Sequence, residues 1–341
     1  MLPGPRESIF RLILSIVTAL VVLSTLEVGA RVAGYEPWSI SKADIVVEPG
    51  QTFFRSHPSL GYTHLPGQFK VTLSGSFVFT ATHLDNTLRI TQPSTEQNAK
   101  QEIWIFGDSI TYGWSVNDEQ SYPWLLRERL PTYRFVNFGV SGYGTLHSLI
   151  QLREALTNQR SPRFAIIAYA AWHNPRNTLI RMRRKMLVNS THLGPVTHTY
   201  ARLTHDGKVD ILNDPLNYVE FPLMRYSAFI HALEQTYNAY EERNAHSDEI
   251  TKLLMKDIID LCKARKIDVI IAGLTSDRTT AEFLGYCETQ GAEIVDISVD
   301  VTIKENNNLP FDSHPSAAAH RQYAEKLATF LNRRLGLARS Q

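Results

Sequence analysis

One serine and one aspartate–histidine pair, far apart in the chain, have the residue types that acyl transfer needs. Ser109 follows Gly107 and Asp108, and Asp312 and His314 stand two residues apart near the C-terminus. A serine hydroxyl becomes a nucleophile when a histidine takes its proton and a carboxylate orients that histidine. We therefore predict that His314 removes the proton of Ser109, which becomes the nucleophile, and that Asp312 fixes the imidazole tautomer.

The segments around these residues predict an α/β fold that would bring them to one edge of a sheet. Compact apolar runs predict strands, and amphipathic stretches between them predict helices. The predicted strands are 103–106, 134–138, 164–169, 267–272 and 293–297, and the predicted helices are 120–130, 145–156, 247–265, 279–290 and 316–334. Such alternation is typical of a parallel sheet with helices on both faces. Ligands of these sheets bind beyond the carboxyl ends of the strands, where Ser109 would lie.

A glycine-rich loop follows the second predicted strand, at residues 137–144. Its glycines allow backbone amides to come close to a ligand. The gaps between the glycines do not fit the dinucleotide-binding fingerprint. From the local sequence alone, a tight turn into the next helix is an equally good interpretation.

Four blocks in order resemble the SGNH (GDSL-like) hydrolases, over about residues 102–335. The blocks are 107–110, 137–142, the end of the 164–169 strand, and 312–320. Residues 64–67 also resemble the lead-in of membrane-anchored bacterial members. The resemblance implies a three-layer α/β/α sandwich with a mainly parallel, flavodoxin-like sheet, in which Ser109 is the nucleophile, His314 the base and Asp312 its partner.

The resemblance also implies which groups stabilise the oxyanion: the serine amide, a glycine amide and an asparagine side chain. Gly142 matches the glycine. The third block departs from the family pattern, because Ala-Ala-Trp-His-Asn at 170–174 replaces Gly-x-Asn-Asp. Ungapped alignment places Trp172 at the asparagine position, whereas shifts of one or two residues place His173 or Asn174 there. Both His173 and Asn174 can donate a hydrogen bond, and both remain candidates.

The N-terminal segment predicts a membrane anchor. Residues 9–26 are apolar or small except for Arg11, and a run of this length about matches a hydrocarbon core of about 30 Å. Arg6 and Arg11 would keep the N-terminus in the cytoplasm, so that the remaining chain is exported. A cleaved signal peptide is the alternative, since Val-Gly-Ala at 28–30 offers small residues to a peptidase.

These observations divide the chain into an anchor or signal peptide at 1–34, a linker with a small β segment at 35–100, and a catalytic domain at 101–341. Residues 69–73 and 76–80 predict a hairpin around Ser74 and Gly75. An insertion at 175–240 interrupts the α/β alternation, and we expect it to wall the substrate pocket. Its basic run at 181–185 predicts a solvated helix face.

Composition excludes several classes of partner. The chain has 35 Lys and Arg residues against 34 Asp and Glu, so no basic field is present to attract nucleic acid. Its two cysteines, Cys262 and Cys287, cannot form a disulfide framework, and we expect both to be buried. The histidine spacing gives no zinc signature, and the predicted reaction requires no cofactor or metal.

Together these features predict a membrane-tethered, exported serine esterase that acts through an acyl-enzyme on Ser109. Its substrate would be an acyl ester, with acylated glycans and lipids as the two alternatives. An O-acyltransferase acting on envelope or extracellular glycans would use the same residues. A non-catalytic envelope binding or assembly protein that retains the fold is the third interpretation, suggested by the altered third block.

Overall fold

The computed structural model describes residues 5–40, 44–93, 101–188 and 197–336. These residues form two compact units. The first unit contains the described residues of Met1–Ser41 together with Asn217–Asn244, and the second contains those of Lys42–Leu216 and Ala245–Gln341.

The helices and strands follow each other in chain order, with short 3-10 turns at Asp118–Gln120 and Lys304–Asn306. They are α1 (Pro5–Val32), β1 (Ile45–Glu48), β2 (Phe54–His57), β3 (Gly61–His64), β4 (Gly67–Leu73), β5 (Phe77–His83), β6 (Gln101–Phe106), α2 (Ser109–Tyr112), α3 (Tyr122–Arg129), β7 (Tyr133–Asn137), α4 (Thr145–Asn158), β8 (Phe164–Tyr169), α5 (His173–Arg176), α6 (Arg181–Val188), β9 (Thr197–Leu203), β10 (Val209–Pro215), α7 (Ala228–Asn244), α8 (Ser247–Ala264), β11 (Asp268–Gly273), α9 (Arg278–Thr289), β12 (Glu293–Asp296), β13 (Asn307–Asn308), β14 (Asp312–Pro315) and α10 (Ala317–Arg334).

The centre of the second unit is a five-stranded sheet in the order β12-β11-β8-β6-β7, with every neighbouring pair parallel. Alternate residues of β8 pack on opposite faces: Ala165 and Ile167 belong to one apolar cluster, and Phe164 and Ile166 to the other. Helices α4, α8 and α9 complete the first cluster, and α3 and α10 complete the second. The predicted α/β/α architecture is confirmed, and the predicted strands and helices of this sheet lie within two residues of the observed ones.

The predicted hairpin is also confirmed. Strands β4 and β5 pair antiparallel around the turn at Ser74 and Gly75, and β1 adds to β4. Arg89 joins this part of the unit to the central sheet. Its buried guanidinium donates to Asp118 Oδ1 at 2.9 Å, to the Tyr112 carbonyl at 2.9 Å and to the Thr80 carbonyl at 3.1 Å. Within the second unit, the β segment and the parallel sheet therefore share one core.

Both cysteines are buried and unbridged, as expected from the sequence. Burial raises the pKa of Cys262 and of Cys287 to about 12, because the thiolate is poorly solvated in their apolar surroundings. At neutral pH both are therefore thiols.

The first unit contains α1 and α7. The apolar side chains of α1 are exposed, and the helix is long and apolar enough to cross a membrane, a test that a signal sequence also passes. The last turn of α1 is fixed to the start of α7 by Glu27, whose carboxylate accepts hydrogen bonds from the Ala228 and Phe229 amides, each at 3.0 Å.

Candidate active site

A sharp turn after β6 places Ser109 at the carboxyl end of the sheet. Gly107 is required there, since a Cβ at this position would lie 2.1 Å from Thr111 Oγ1. Asp108 then caps the four-residue helix α2 by accepting a hydrogen bond from the Ile110 amide at 3.0 Å. Ser109 is the first residue of that helix, so its own amide has no acceptor within the helix.

Ser109, His314 and Asp312 form a continuous series of hydrogen bonds. Ser109 Oγ lies 3.0 Å from His314 Nε2, and His314 Nδ1 lies 2.8 and 3.0 Å from the two carboxylate oxygens of Asp312. Because an ionised carboxylate only accepts hydrogen bonds, the imidazole carries its proton on Nδ1 and accepts the Ser109 hydroxyl at Nε2. The structure brings these three predicted residues together across more than 200 positions of sequence.

The charge of Asp312 is stabilised in place. Burial alone would raise the pKa of this carboxyl, but hydrogen bonds from His314 and Ser115 outweigh burial, and the pKa lies below its usual value. Strand β14 carries both Asp312 and His314, and Ser316 directly after it caps α10 through the Ala318 and Ala319 amides. Asp312 is thus ionised at neutral pH, and the strand that carries it leads directly into a long helix.

A cavity of about 250 Å³ opens beside Ser109 and His314. Its remaining walls come from several loops beyond the carboxyl edge of the sheet, and include Trp172, Arg176, Thr275, Val299, Val301 and Pro315. The sequence predicts that the 175–240 insertion walls the pocket. Among the described residues of that insertion only Arg176 does so, because the cavity is formed mainly by loops at the strand ends.

Asp108, next to Ser109, is a buried acceptor that contacts three residues of the segment 172–176. Its Oδ2 accepts hydrogen bonds from Trp172 Nε1 and Arg176 Nη1, each at 2.7 Å, and lies 3.3 Å from His173 Nε2. Burial would raise the pKa of Asp108, but these three neighbours outweigh it and hold the pKa well below its usual value. Asp108 is therefore a permanent anion at the foot of the cavity.

The glycine loop approaches α2 from the other side. Asn137 donates to the Thr111 carbonyl at 2.9 Å and accepts from the Gly139 amide at 2.9 Å. Gly142 has φ +85°, and a Cβ there would lie 2.6 Å from Tyr62 Oη, so a side chain is excluded for two reasons. The Gly142 carbonyl accepts from Arg183 Nη2 at 2.6 Å. Arg183 is buried, so the predicted solvated face of the basic run is wrong for this residue.

His173 and Asn174, the two side chains predicted to donate to an oxyanion, make other contacts in the structure. Asn174 Nδ2 donates to Asp248 Oδ1 at 2.7 Å, and Asn174 Oδ1 accepts from the Tyr169 hydroxyl at 2.8 Å. His173 is buried beside Asp108, and burial holds its pKa below the usual value. In the part of the chain that the structure describes, neither side chain lines the cavity. The turn into α5 directs Trp172 and Arg176 to the cavity, and His173 and Asn174 elsewhere.

Arg176 is the residue that sequence reasoning missed. Its Nη1 donates to Asp108 Oδ2 at 2.7 Å and to the Tyr143 carbonyl at 3.2 Å, and the side chain also lines the cavity. The guanidinium thus lies between Asp108, which precedes Ser109, and Tyr143, which follows Gly142. The spacing of the sequence could have indicated it. Arg176 stands four residues after Trp172, the residue that ungapped alignment places at the asparagine of the SGNH pattern, and residues four apart lie on one face of a helix.

Comparison with known proteins gives distant matches of fold. No protein-family model matches the chain, and no curated protein matches it. Solved structures similar to it include a lipolytic G-D-S-L family protein from Veillonella parvula (14% identity, TM-score 0.38, covering 68% of this chain and 98% of that one). An esterase, EstA, from Pseudoalteromonas sp. has 11% identity and a TM-score of 0.41, with 70% and 100% of the two chains covered. LAE5, an α/β hydrolase enzyme from a Lake Arreo metagenome, has 15% identity and a TM-score of 0.38, with 68% and 95% covered.

The predicted resemblance to SGNH and GDSL-like proteins is confirmed as this distant likeness. The chain is a mixed α/β protein with a central parallel sheet, and its solved neighbours include GDSL lipolytic proteins and esterases.

Proposed function

We propose that the chain is a serine esterase that hydrolyses a carboxylic ester through an acyl-enzyme on Ser109. The observation that carries the proposal is the series of hydrogen bonds from Ser109 Oγ to His314 Nε2 and from His314 Nδ1 to Asp312. A nucleophile, a base and an orienting acid within hydrogen-bond distance are the components that nucleophilic catalysis requires.

The reaction has two halves. Ser109 Oγ attacks the carbonyl carbon while its proton moves to His314 Nε2, and Asp312 stabilises the resulting imidazolium. The tetrahedral intermediate collapses as His314 protonates the departing alcohol, which leaves the acyl group on Ser109. Water then attacks the acyl-enzyme and gives its proton to His314. Collapse of the second intermediate releases the carboxylic acid and returns the proton to Ser109.

The oxyanion needs preorganised donors. We assign two of them, the Ser109 and Gly142 amides, from the resemblance. For the third we replace the family's asparagine by Arg176, because its guanidinium is fixed between Asp108 and Tyr143 and faces the cavity. A cation in this position stabilises negative charge on the carbonyl oxygen, in a site partly shielded from water.

The size of the cavity bears on the substrate. Its volume is about 250 Å³. Pockets that take drug-sized ligands are larger, at about 300–1,000 Å³. We therefore propose a short acyl group, carried on a glycan or a lipid alcohol that extends out of the cavity.

The same proposal includes location and organisation. Helix α1 would cross a membrane with Arg6 and Arg11 on the cytoplasmic side, and would tether an exported catalytic unit. The predicted boundaries of the anchor (1–34), the linker with its β segment (35–100) and the catalytic domain (101–341) belong to the same proposal.

The test uses the purified full chain and p-nitrophenyl acetate. We expect a burst of p-nitrophenol, covalent labelling by a fluorophosphonate, and loss of both in Ser109→Ala. Ser313→Ala is the matched control, since Ser313 lines the same cavity without contacting the His314 imidazole in the observed hydrogen bonds, and it should retain both signals. A wild-type chain that neither hydrolyses the ester nor reacts with the fluorophosphonate would refute the proposal. Transfer of the acetyl group to an added glycan would identify the transferase alternative.

A further inference from the structure

Helix α7 in the first unit exposes three large side chains of apolar or aromatic type on one face and buries two polar ones beside them. Leu233, Tyr237 and Tyr240 are 45%, 47% and 60% exposed, and their spacing of four and three residues places them on one face. Glu234 and Asn238, one turn apart, are only 0% and 8% exposed. A water-facing helix buries its apolar stripe and exposes its polar one. We call Leu233, Tyr237 and Tyr240 the α7 tyrosine face.

Glu234, on the buried side of α7, has a polar partner. The Tyr218 hydroxyl donates to the Glu234 carboxylate, so that this buried side chain is hydrogen-bonded. Burying a carboxylate is costly unless it is bonded in this way. The orientation of the helix is therefore supported by a specific contact, and the outward direction of the α7 tyrosine face follows from it.

The start of α7 is bound to the end of α1. Besides the Ala228 and Phe229 amides, the Glu27 carboxylate accepts the Ser227 hydroxyl at 2.7 Å, and Arg31 forms an ion pair with Glu27 at 2.7 Å. A carboxylate at a helix N-terminus is favoured by the helix dipole as well as by its hydrogen bonds. The His231 ring nitrogen Nδ1 also lies 2.7 Å from the Glu36 carbonyl.

The length of α1 fixes the depth of this junction. The apolar stretch from Ile9 to Leu26 has 18 residues, which span about 27 Å at about 1.5 Å per residue, close to the thickness of a hydrocarbon core. If α1 crosses a membrane, Glu27 lies at the edge of the hydrocarbon, and the first turn of α7 lies beside the lipid headgroups. Tyrosine and tryptophan are enriched at that depth. The first unit carries Tyr35, Trp38, Tyr218, Tyr226, Tyr237 and Tyr240 beyond the apolar run.

We propose that the α7 tyrosine face binds the lipid headgroup region, on the leaflet where α1 ends. The first unit would then contact the membrane twice, through a spanning helix and through an interfacial one. The proposal rests on the membrane-spanning role of α1 proposed above, and it is independent of the chemistry at Ser109. Its occupant is a lipid surface, because the junction with α1 places the start of the helix there.

The test labels the full chain, reconstituted in phosphatidylcholine nanodiscs, with an environment-sensitive fluorophore at single introduced cysteines. Tyr237→Cys places the fluorophore on the α7 tyrosine face. Glu242→Cys is the matched control on another side of the same helix, and Val17→Cys lies in the middle of α1. Cys262 and Cys287 are buried, and the labelled wild type measures their background. Lipids carrying a nitroxide near the headgroup or deep in the acyl chain then quench the fluorophores by depth.

We expect the shallow nitroxide to quench Tyr237→Cys and leave Glu242→Cys bright, while the deep one quenches Val17→Cys. If Val17→Cys is quenched but Tyr237→Cys and Glu242→Cys respond alike, the α7 tyrosine face does not bind lipid. Self-quenching at Tyr237→Cys that grows with the number of chains per disc would assign the face to a second copy and overturn the proposal. A bright Val17→Cys would refute the spanning role and the proposal with it. None of these outcomes depends on whether the Ser109 esterase reaction occurs.

Discussion

Replacing Arg176 tests whether a guanidinium has taken the place of the family's asparagine. Loss of one oxyanion donor in other enzymes lowers kcat about 10²–10³-fold, equal to about 2.7–4 kcal/mol of transition-state stabilisation. Arg176→Ala should fall in this range, with a smaller change in KM, because the interaction forms mainly in the transition state. The structure adds a second cost. Asp108 is fully buried and would lose one of its two hydrogen-bond donors of 2.7 Å, although Trp172 Nε1 would remain.

The two costs can be separated by a conservative variant. Breaking a buried ion pair costs about 3–5 kcal/mol of folding free energy, and Arg176, with 22% of its side chain exposed, should lie at the lower end. Arg176→Lys keeps a positive charge for Asp108 and should fold close to wild type. It lacks the planar fork that reaches Asp108, the Tyr143 carbonyl and the cavity together, so its kcat should still fall.

The assay measures kcat and KM for p-nitrophenyl acetate and the free energy of unfolding in urea, for the wild type and both variants. Added guanidinium at concentrations that do not unfold the protein should raise the kcat of Arg176→Ala, whereas methylamine should rescue it less. Arg153→Ala is the control, since Arg153 forms an exposed ion pair with Asp257 at 3.1 Å and is not part of the cavity. An Arg176→Ala protein that loses stability but keeps its kcat, or that guanidinium fails to rescue, would show that Arg176 only supports the fold around Asp108.

Three further predictions concern the remaining groups. Asp312→Asn should lower kcat by about 10⁴-fold with little change in KM, because the imidazole would lose its orienting anion; a pH–rate profile and urea unfolding should show the protein otherwise intact. Asn174→Ala should leave kcat unchanged but lower the free energy of unfolding by about 1–3 kcal/mol, since the buried Tyr169 hydroxyl would lose its acceptor; a loss of kcat at full stability would restore it as an oxyanion donor. Burial lowers the pKa values of His83, His147 and His320 to about 3. Because the unfolded chain takes up these protons near pH 6.5 and the folded chain does not, stability should fall as pH is lowered from about 6.5 towards 3, by up to about 1.4 kcal/mol per pH unit for each histidine. His147→Gln should reduce that slope in urea titrations, and an unchanged slope would mean that His147 does not contribute.

The parallel sheet could be predicted from sequence because strands buried on both faces are continuously apolar. Phe164–Tyr169 shows this directly, since all six of its residues are buried. The partners of Ser109 could be predicted for a different reason. Asp312 and His314 precede a helix, and the chemistry of a serine nucleophile admits few other residue types. The strand is thus predicted from one short stretch, whereas the pairing of Ser109 with Asp312 and His314 also depends on the order of four blocks along the chain.

The sequence could not show which side chain of the third block faces the cavity, because this depends on contacts between distant segments. Asn174 is held by Asp248, which lies 74 positions further along the chain. The sequence also did not show that the 175–240 insertion is divided between the two units at residue 217. The contact that would reveal it joins Glu27 to the start of α7 across about 200 positions. In α7 the spacing of Leu233, Tyr237 and Tyr240 does not show which side of the helix is buried, because an exposed face and a core-facing one have the same spacing.

In the proposed site, Asp108 accounts for how an altered third block can coexist with Ser109 as the nucleophile. The asparagine of the SGNH pattern is neutral and can face the oxyanion alone, whereas an arginine in the same cavity needs a fixed counter-charge to hold its direction. Asp108 supplies that charge next to Ser109, and Trp172 shares the same carboxylate oxygen at 2.7 Å, which limits how far the guanidinium can move. A substitution at any one of these three side chains therefore changes the environment of the other two. The block 170–176 and the Gly-Asp-Ser turn should be treated as one structural element of the candidate site.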